Sequence, residues 1–255
     1  MGSDPPCELL QWDSDFFGRR IARASANTLD KSALAGIEGW CDLHKIDCLY
    51  FLADPADPLT TRLAETSGFR LVDIRVTLDR PVQGGSTLGS CRTKIRGSLE
   101  SDISALRTIA RTSHRDSRFY FDGNFPAVLC DALYEAWIEK SCRGWAQNVL
   151  VAEDEGKPVG YVTCHLATGG IGRIGLVGVE AEAQSKGFGK ELVGQSLHWF
   201  ARQGVATVSV VTQGRNVRAQ RLYQRCGFVT RSVDLWYHRW FIEKWRTDGT
   251  ATDSV

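Results

Sequence analysis

The chain has 255 residues, 43% of them hydrophobic and 24% charged, with a formal net charge of +1. That length allows one large domain or two modest ones, and the composition is that of an ordinary soluble globular protein. The near-zero charge gives no electrostatic case for nucleic acid or an anionic membrane as partner, and no apolar run approaches the ~18 residues that a membrane span needs.

The first residues, MGSDPPCELLQWD, carry no basic region followed by an apolar core, so no secretory leader is read there and a cytoplasmic location is expected. Residues 8–20, ELLQWDSDFFGRR, form an aromatic cluster with a turn in it. The patterning then predicts a helix over 29–45, a short buried strand DCLYFLA (47–53), a helix over 58–68 ended by Gly68, and an alternating strand over 69–79. RPVQGGSTLGS (80–90) reads as a linker and module boundary. Beyond it are expected a strand at CRTKIRGS, a helix over 99–113 with apolar positions 103, 106, 109 and 110, a loop HRDSRFYFDGNF (114–125), and a helix over 126–144 opened by Pro126. Three strands follow, QNVLVAED, KPVGYVTCHLA and GRIGLVGVE, joined by tight turns. A glycine loop leads into a helix to about Gln203, then come strand ATVSVVTQ, helix NVRAQRLYQRCG and final strand FVTRSVDLWYHRWF. The tail from Arg246 is polar and expected to be disordered. The order is mixed α/β, with an antiparallel meander ahead of a strand-loop-helix-strand unit.

The eight cysteines, at 7, 41, 48, 91, 130, 142, 164 and 226, form no C-x-x-C pair, and the five histidines do not cluster with them. No zinc site is expected, and the cysteines read as reduced thiols, several of them core residues.

The glycine loop AQSKGFGKEL (183–192) carries the chemistry. A helix start leaves its first amides unpaired and adds about half a positive charge. Gly187 and Gly189 let those amides approach an anion closely. A nucleotide-triphosphate loop would place Ser or Thr after the lysine to hold Mg²⁺. Here Glu191 follows Lys190, so the loop suits a diphosphate bound without metal; a glycine-rich turn with no ligand is the alternative. GIGRIG (170–175) matches a dinucleotide fingerprint but runs into strand LVGVE rather than a helix, so it is read as part of a hairpin. In NVRAQRLYQRCGF (216–228), Asn216 is the expected N-cap and Gly227 the C-cap. Tyr223 lies almost two turns after Asn216, with small Ala219 between them, which leaves room for a ligand arm; a half-buried structural tyrosine is the alternative.

Q-x-x-G-x-G opening a helix, then a strand, then N-x-x-A-x-x-L-Y-x-x-x-G-F together resemble the GNAT superfamily of acyl-CoA N-acyltransferases over roughly residues 145–240. The expected fold is therefore α/β (an α+β mixed sheet), a GNAT fold preceded by a smaller, partial GNAT-like module. The resemblance implies that acetyl-CoA, as co-substrate and without a metal, rests its pyrophosphate on Gln184, Ser185, Lys186, Gly187, Phe188, Gly189 and Lys190, with Asn216 and Tyr223 completing the set. It implies that the pantetheine arm pairs with Val177, Gly178 and Val179, where the strand would splay from its neighbour. It also implies that Tyr223 protonates the departing thiolate, whose conjugate acid has a pKa of about 8.5, and that a strand amide polarises the acyl carbonyl.

The N-terminal residues repeat this unit at an offset of 159, from Gly68 to Gly227. Phe69 then meets Phe228, Leu63 meets Leu222 and Trp40 meets Trp199, but Tyr223 meets Ala64, and Gln184, Gly187 and Gly189 meet Ser25, Thr28 and Asp30. Packing residues are kept and ligand residues are lost. Residues 1–80 read as a degenerate half-domain and 81–90 as the linker; 91–245 read as the acetyltransferase domain and 246–255 as the tail.

WDSDFFG (12–18), DSRFYFD (116–122) and YEAWIEKSCRG (134–144) ahead of such a core resemble the TDP-fucosamine acetyltransferase group, which acetylates the 4-amino group of a TDP-4-amino-4,6-dideoxyhexose. That resemblance implies a nucleotide-sugar acceptor and a homodimer, with Trp12, Phe16, Phe17, Arg118, Phe119 and Asp122 on the acceptor. Core aromatics, and Arg118 paired with Asp116 or Asp122, are the alternative. For the general base, His165 has a suitable ordinary pKa near 6.5; Asp122 and Glu180 are the other candidates. Acetyl transfer to a different small amine or a peptide N-terminus, and acyl-CoA binding without catalysis, stay open.

Overall fold

The computed structural model describes residues 5–82 and 94–241. The elements in chain order are β1 (Cys7–Leu9), α1 (Gln11–Phe17), β2 (Ile21–Ala24), α2 (Lys31–Leu43), β3 (Cys48–Ala53), α3 (Pro58–Thr66) and β4 (Arg70–Pro81). Then come β5 (Lys94–Gly97), α4 (Ile103–Ser113), α5 (Arg118–Asp122), α6 (Ala127–Lys140), β6 (Asn148–Asp154), β7 (Lys157–Ala167) and β8 (Ile171–Val179). Last are α7 (Phe188–Arg202), β9 (Thr207–Gln213), α8 (Val217–Arg225) and β10 (Val229–Trp240). The fold is mixed α/β, as its order of strands and helices predicts. The stretch 114–125, expected as a loop, contains the five-residue helix α5. The linker and the polar tail fall largely or wholly outside the described residues.

The chain divides into two compact units. The first holds 5–75, 121–125 and 233–241 of the described residues, with strand order β1-β2-β3-β10. β2 runs parallel to β3, and the second half of β10 pairs antiparallel with β3 from Leu235↔Ala53 to Trp240↔Cys48. Asp30 and Asp57 cap α2 and α3 through Ala33 N–H at 2.7 Å and Leu59 N–H at 3.2 Å. The core of this unit includes Leu29, Ile37, Leu49, Phe51, Phe69 and Tyr237.

The second unit holds 76–82, 94–120 and 126–232, with strand order β4-β9-β8-β7-β6-β5. β5 through β8 form an antiparallel meander, and β8 runs parallel to β9. α7 and α8 pack on a core that includes Val162, Leu192, Phe200, Val208 and Phe228, to which β4 adds Val76 and Leu78. The seven cysteines among the described residues are free thiols, six of them buried.

The 159-residue offset carries α3 onto α8 and β4 onto β10 residue for residue. It also carries Gly68, at φ +80°, onto Gly227, at φ +81°. The strand boundary differs from the sequence expectation: the break falls inside β4 at 75/76, and the end of β10 belongs with the N-terminal unit. Each unit thus takes its strand from the other half of the chain. A fragment beginning at Cys91 will therefore show no cooperative melt by circular dichroism. It leaves Ala206, just ahead of β9, without the Val82 N–H to Ala206 carbonyl bond of 2.9 Å. It also strips the burial of Val76 and Leu78, about 1.5–3 kcal/mol each, from a domain whose whole stability is about 5–15 kcal/mol. A sharp transition at the melting temperature of the full chain would refute this.

Candidate active site

β8 pairs with β9 from Ile171↔Thr207 to Ile174↔Val210, yet β8 itself continues to Val179. Its other edge stays on β7 as far as Gly160↔Val179, through a bulge in which Gly175 and Leu176 together face Thr163. The Thr163 hydroxyl accepts the Leu176 N–H at 2.8 Å. A Cβ on Gly175 would stand 2.7 Å from both Thr163 Oγ1 and His165 Nε2, so only glycine fits the bulge. Past the bulge, Val177 and Val179 face a cavity of about 850 Å³.

The glycine loop closes one side of this cavity, through Gln184, Ser185, Gly187, Phe188, Gly189 and Lys190. Ser185 and Gly187 both have positive φ, +67° and +99°. No side chain caps α7 at Gly187, so its first amides border the cavity unsatisfied by a cap. The two glycines do different work. A Cβ on Gly187 would meet nothing within 4 Å, whereas one on Gly189 would stand 3.3 Å from Leu222 Cδ2. Gly187 leaves the cavity open, and Gly189 allows α7 to approach α8. Gln184 is a brace: its Nε2 donates to the Val179 carbonyl at 2.9 Å, and its Oε1 accepts from Arg218. Lys186 pairs with Asp154 at 3.3 Å and does not line the cavity.

Asn216 caps α8 as expected, its Oδ1 accepting the Ala219 N–H at 2.9 Å, and both residues line the cavity. Sequence reasoning named Lys190 but missed the arginines. Arg218, Arg221 and Arg225 of α8, Lys190 of α7 and Arg115 all line the cavity, against a single acid, Asp116. The α8 arginines stand at i, i+3 and i+7, a helical stripe that is visible in the sequence. With the helix N-terminus they make the cavity strongly attractive to phosphate.

Tyr223 is buried at 5% exposure in the core of the unit, edge-on to Phe228 at 5.8 Å, and does not itself line the cavity. Burial, and then the neighbouring Cys226, push its phenol pKa up, so it holds its proton at neutral pH. His165 lies over the bulge with Nε2 at 3.2 Å from Thr163 Oγ1 and its ring edge-on to Trp145 at 5.0 Å. Burial pushes its pKa down, which keeps the ring neutral but weakens it as a base. It is absent from the cavity lining, as is Gly178. Glu180 is exposed.

The residues expected on the acceptor separate by burial. Phe17, Phe119 and Asp122 are buried at 7%, 2% and 5%. Asp122 accepts from Trp240 Nε1 at 2.9 Å and from Asn124 Nδ2 at 2.7 Å, and it pairs with buried His238. Burial pushes its carboxyl up, but these bonds outweigh that effect and hold it below the usual range. Both oxygens of Asp122 are thus engaged by residues of the first unit. Trp12 is 39% exposed and stacked on Phe16 at 5.0 Å. The Arg118 guanidinium lies 4.5 Å over the Phe119 ring. Among the described residues no cluster of His, Cys, Asp or Glu could hold a metal ion, and no helix is long and apolar enough to cross a membrane.

Residues 110–228 match the model of the acetyltransferase (GNAT) family. The chain is 31% identical over 237 residues to the dTDP-fucosamine acetyltransferase of Escherichia coli O6:H1, covering 91% of this chain and 97% of that protein. It is 28% identical over 144 residues to the spore coat polysaccharide biosynthesis protein SpsD of Bacillus subtilis, covering 54% of this chain and 48% of that one. The fold matches a GCN5-related N-acetyltransferase from Sphaerobacter thermophilus at a TM-score of 0.63 and 17% identity, over 92% of this chain and 76% of the other. With its splayed strand, glycine loop and capped helix in one unit, this chain belongs to the GNAT family of acetyltransferases.

Proposed function

We propose that this enzyme moves the acetyl group of acetyl-CoA to the 4-amino group of a TDP-4-amino-4,6-dideoxyhexose, in the cytoplasm and in service of polysaccharide biosynthesis. One observation carries the cofactor half: a single cavity joins the end of β8 beyond its pairing with β9, the uncapped start of α7 and five cationic side chains. That donor set fits a diphosphate with further negative charge nearby. The acceptor half is supported by likeness along nearly the whole chain to a protein named for a fucosamine sugar nucleotide.

Acetyl-CoA, when bound, supplies the activated thioester. The residues of this chain do the rest. Main-chain amides at Gly187–Lys190 and the α8 arginines hold phosphate. Val177–Val179 pair with the extended arm as a strand would and turn an amide toward the acyl oxygen, where a fixed donor is worth about 10²–10³ in rate. The amine attacks directly. Tyr223 gives its proton to the leaving sulfur, and His165 is the proposed acceptor of the amine proton. In the first unit, exposed Trp12 and half-buried Phe16 suit an aromatic base or a sugar face.

A mass-shift assay with acetyl-CoA against a panel of TDP-amino sugars tests the reading. Addition of one acetyl group to TDP-4-amino-4,6-dideoxygalactose is the expected result. Acetylation of other amines only would overturn the acceptor. Acetyl-CoA binding with no turnover across the panel would overturn catalysis on this substrate class.

A further inference from the structure

Beneath the strand that carries the proposed acyl contact lies a pair of residues, Tyr161 and His114, with no part in the proposed proton transfers. Side chains alternate along β8, so Val177 and Val179 face the cavity while the α-carbon of Gly178 faces the other way. What it faces is Tyr161 of β7, its partner in the register. A Cβ on Gly178 would stand 2.7 Å from Tyr161 Cε1, 2.8 Å from Cζ and 2.9 Å from the hydroxyl oxygen. The hydroxyl end of the phenol therefore lies against the backbone of the acyl-binding segment, and glycine is required there by that contact. Tyr161 is fully buried.

The hydroxyl of Tyr161 is held in turn by Nε2 of His114 at 2.9 Å. His114 ends α4, and its ring is stacked on Tyr134 of α6 at 4.6 Å and 20°. Its neighbours Ser113 and Arg115 line the cavity. A single hydrogen bond thus ties a wall of the cavity, through one rigid ring, to the backbone that the acyl group would meet. Burial lowers the His114 imidazole to about 4, so it is neutral at pH 7 and stays a fixed hydrogen-bonding partner. All of these residues belong to the second unit.

The geometry points to Tyr161 and His114 as a positioning pair that sets where the Val177–Val179 amides stand against the acyl carbonyl. The inference rests on the reading of that strand as the acyl-binding edge. β8 has lost its β9 neighbour at this point, so one side of the strand is unsupported, and the phenol ring supplies the stop from below. A free edge that moves by a fraction of an ångström misplaces its amides, and a misplacement of about 1 Å costs on the order of 10²-fold in rate.

The test uses the full-length protein and Tyr161→Phe, which keeps the ring and removes only the hydroxyl. Two readouts are taken below the melting temperature of every variant. The first is the infrared carbonyl band of bound [1-¹³C]acetyl-CoA, which reports polarisation of the acyl oxygen and needs no acceptor. The second is the split of kcat and KM for acetyl-CoA with TDP-4-amino-4,6-dideoxygalactose. The band should move back toward its free position in Tyr161→Phe and His114→Leu. kcat should fall about tenfold, with KM for acetyl-CoA within a factor of about two. The double variant should be no worse than either single one, because the two residues act as one unit. His114→Gln, which places an amide near the Nε2 position, should restore the band and the rate. An unchanged band in Tyr161→Phe would overturn the pair, as would additive losses in the double variant. A wild-type protein that acetylates some amine but not this sugar would overturn the acceptor reading alone, because the band still reports on the pair. A wild-type protein that binds no acetyl-CoA would remove both.

Discussion

Gly187→Val will weaken acetyl-CoA binding by about a hundredfold, which corresponds to ~2.8 kcal/mol at the binding site. Two effects act together. Gly187 stands at φ +99° and ψ −9°, a conformation that a β-branched residue adopts only with strain. A Cβ at this position meets no atom of the protein within 4 Å, and Gly187 lines the cavity. On the proposed binding mode the valine methyls therefore enter the place of the phosphates rather than clash with the fold. Titration calorimetry gives the loss directly, and a thermal melt shows that the chain still folds. Gly189→Ala is the informative contrast. Its Cβ presses on Leu222 at 3.3 Å, so the cost appears first as a lower melting temperature, with a smaller change in affinity. Undiminished affinity in Gly187→Val would remove the phosphate cradle from the loop.

The contrast between the two glycines also marks where sequence reasoning stops. Both sit in one short motif, and spacing alone gives them the same task. Only packing separates the one that opens the cavity from the one that admits α8. Gln184 is similar: the motif places it beside the ligand, and the structure uses its amide to tie β8 to Arg218. The elements themselves were legible, because strand alternation, helix caps and glycine stops are local signals. The N-cap at Asn216 is an example. The exchange of strands between units was not legible, since the alternation of β4 runs unbroken through 75/76. Nor was the fate of Asp122, whose partners His238 and Trp240 lie more than a hundred residues away in sequence. The arginines of α8 were visible as a stripe, but a basic helical face is usually solvated. It takes Lys190 and Arg115 on the same cavity to make it a site.

Tyr223→Phe should lower kcat by about 10²-fold or more, within the 10²–10⁴-fold that a positioned general acid supplies. KM for acetyl-CoA should stay within a few-fold. The substitution removes one oxygen from a ring that is otherwise a core residue, edge-on to Phe228 and 5% exposed, so the fold and the cavity wall built by Ala219 and Leu222 remain. The raised pKa sets the expected pH behaviour. Burial and Cys226 keep the phenol protonated well beyond its ordinary range, so the rate of the wild-type enzyme should show no alkaline loss from this group up to about pH 10, the ordinary phenol value. A residue that acts only through packing would change the melting temperature and leave the kcat of the Phe variant intact. A residue that donates a proton to a thiolate would do the reverse. Stopped-flow thiol release at saturating acetyl-CoA, set beside a melting curve of the same sample, separates the two. Equal kcat in wild type and Tyr223→Phe would move the proton source to water or to another residue.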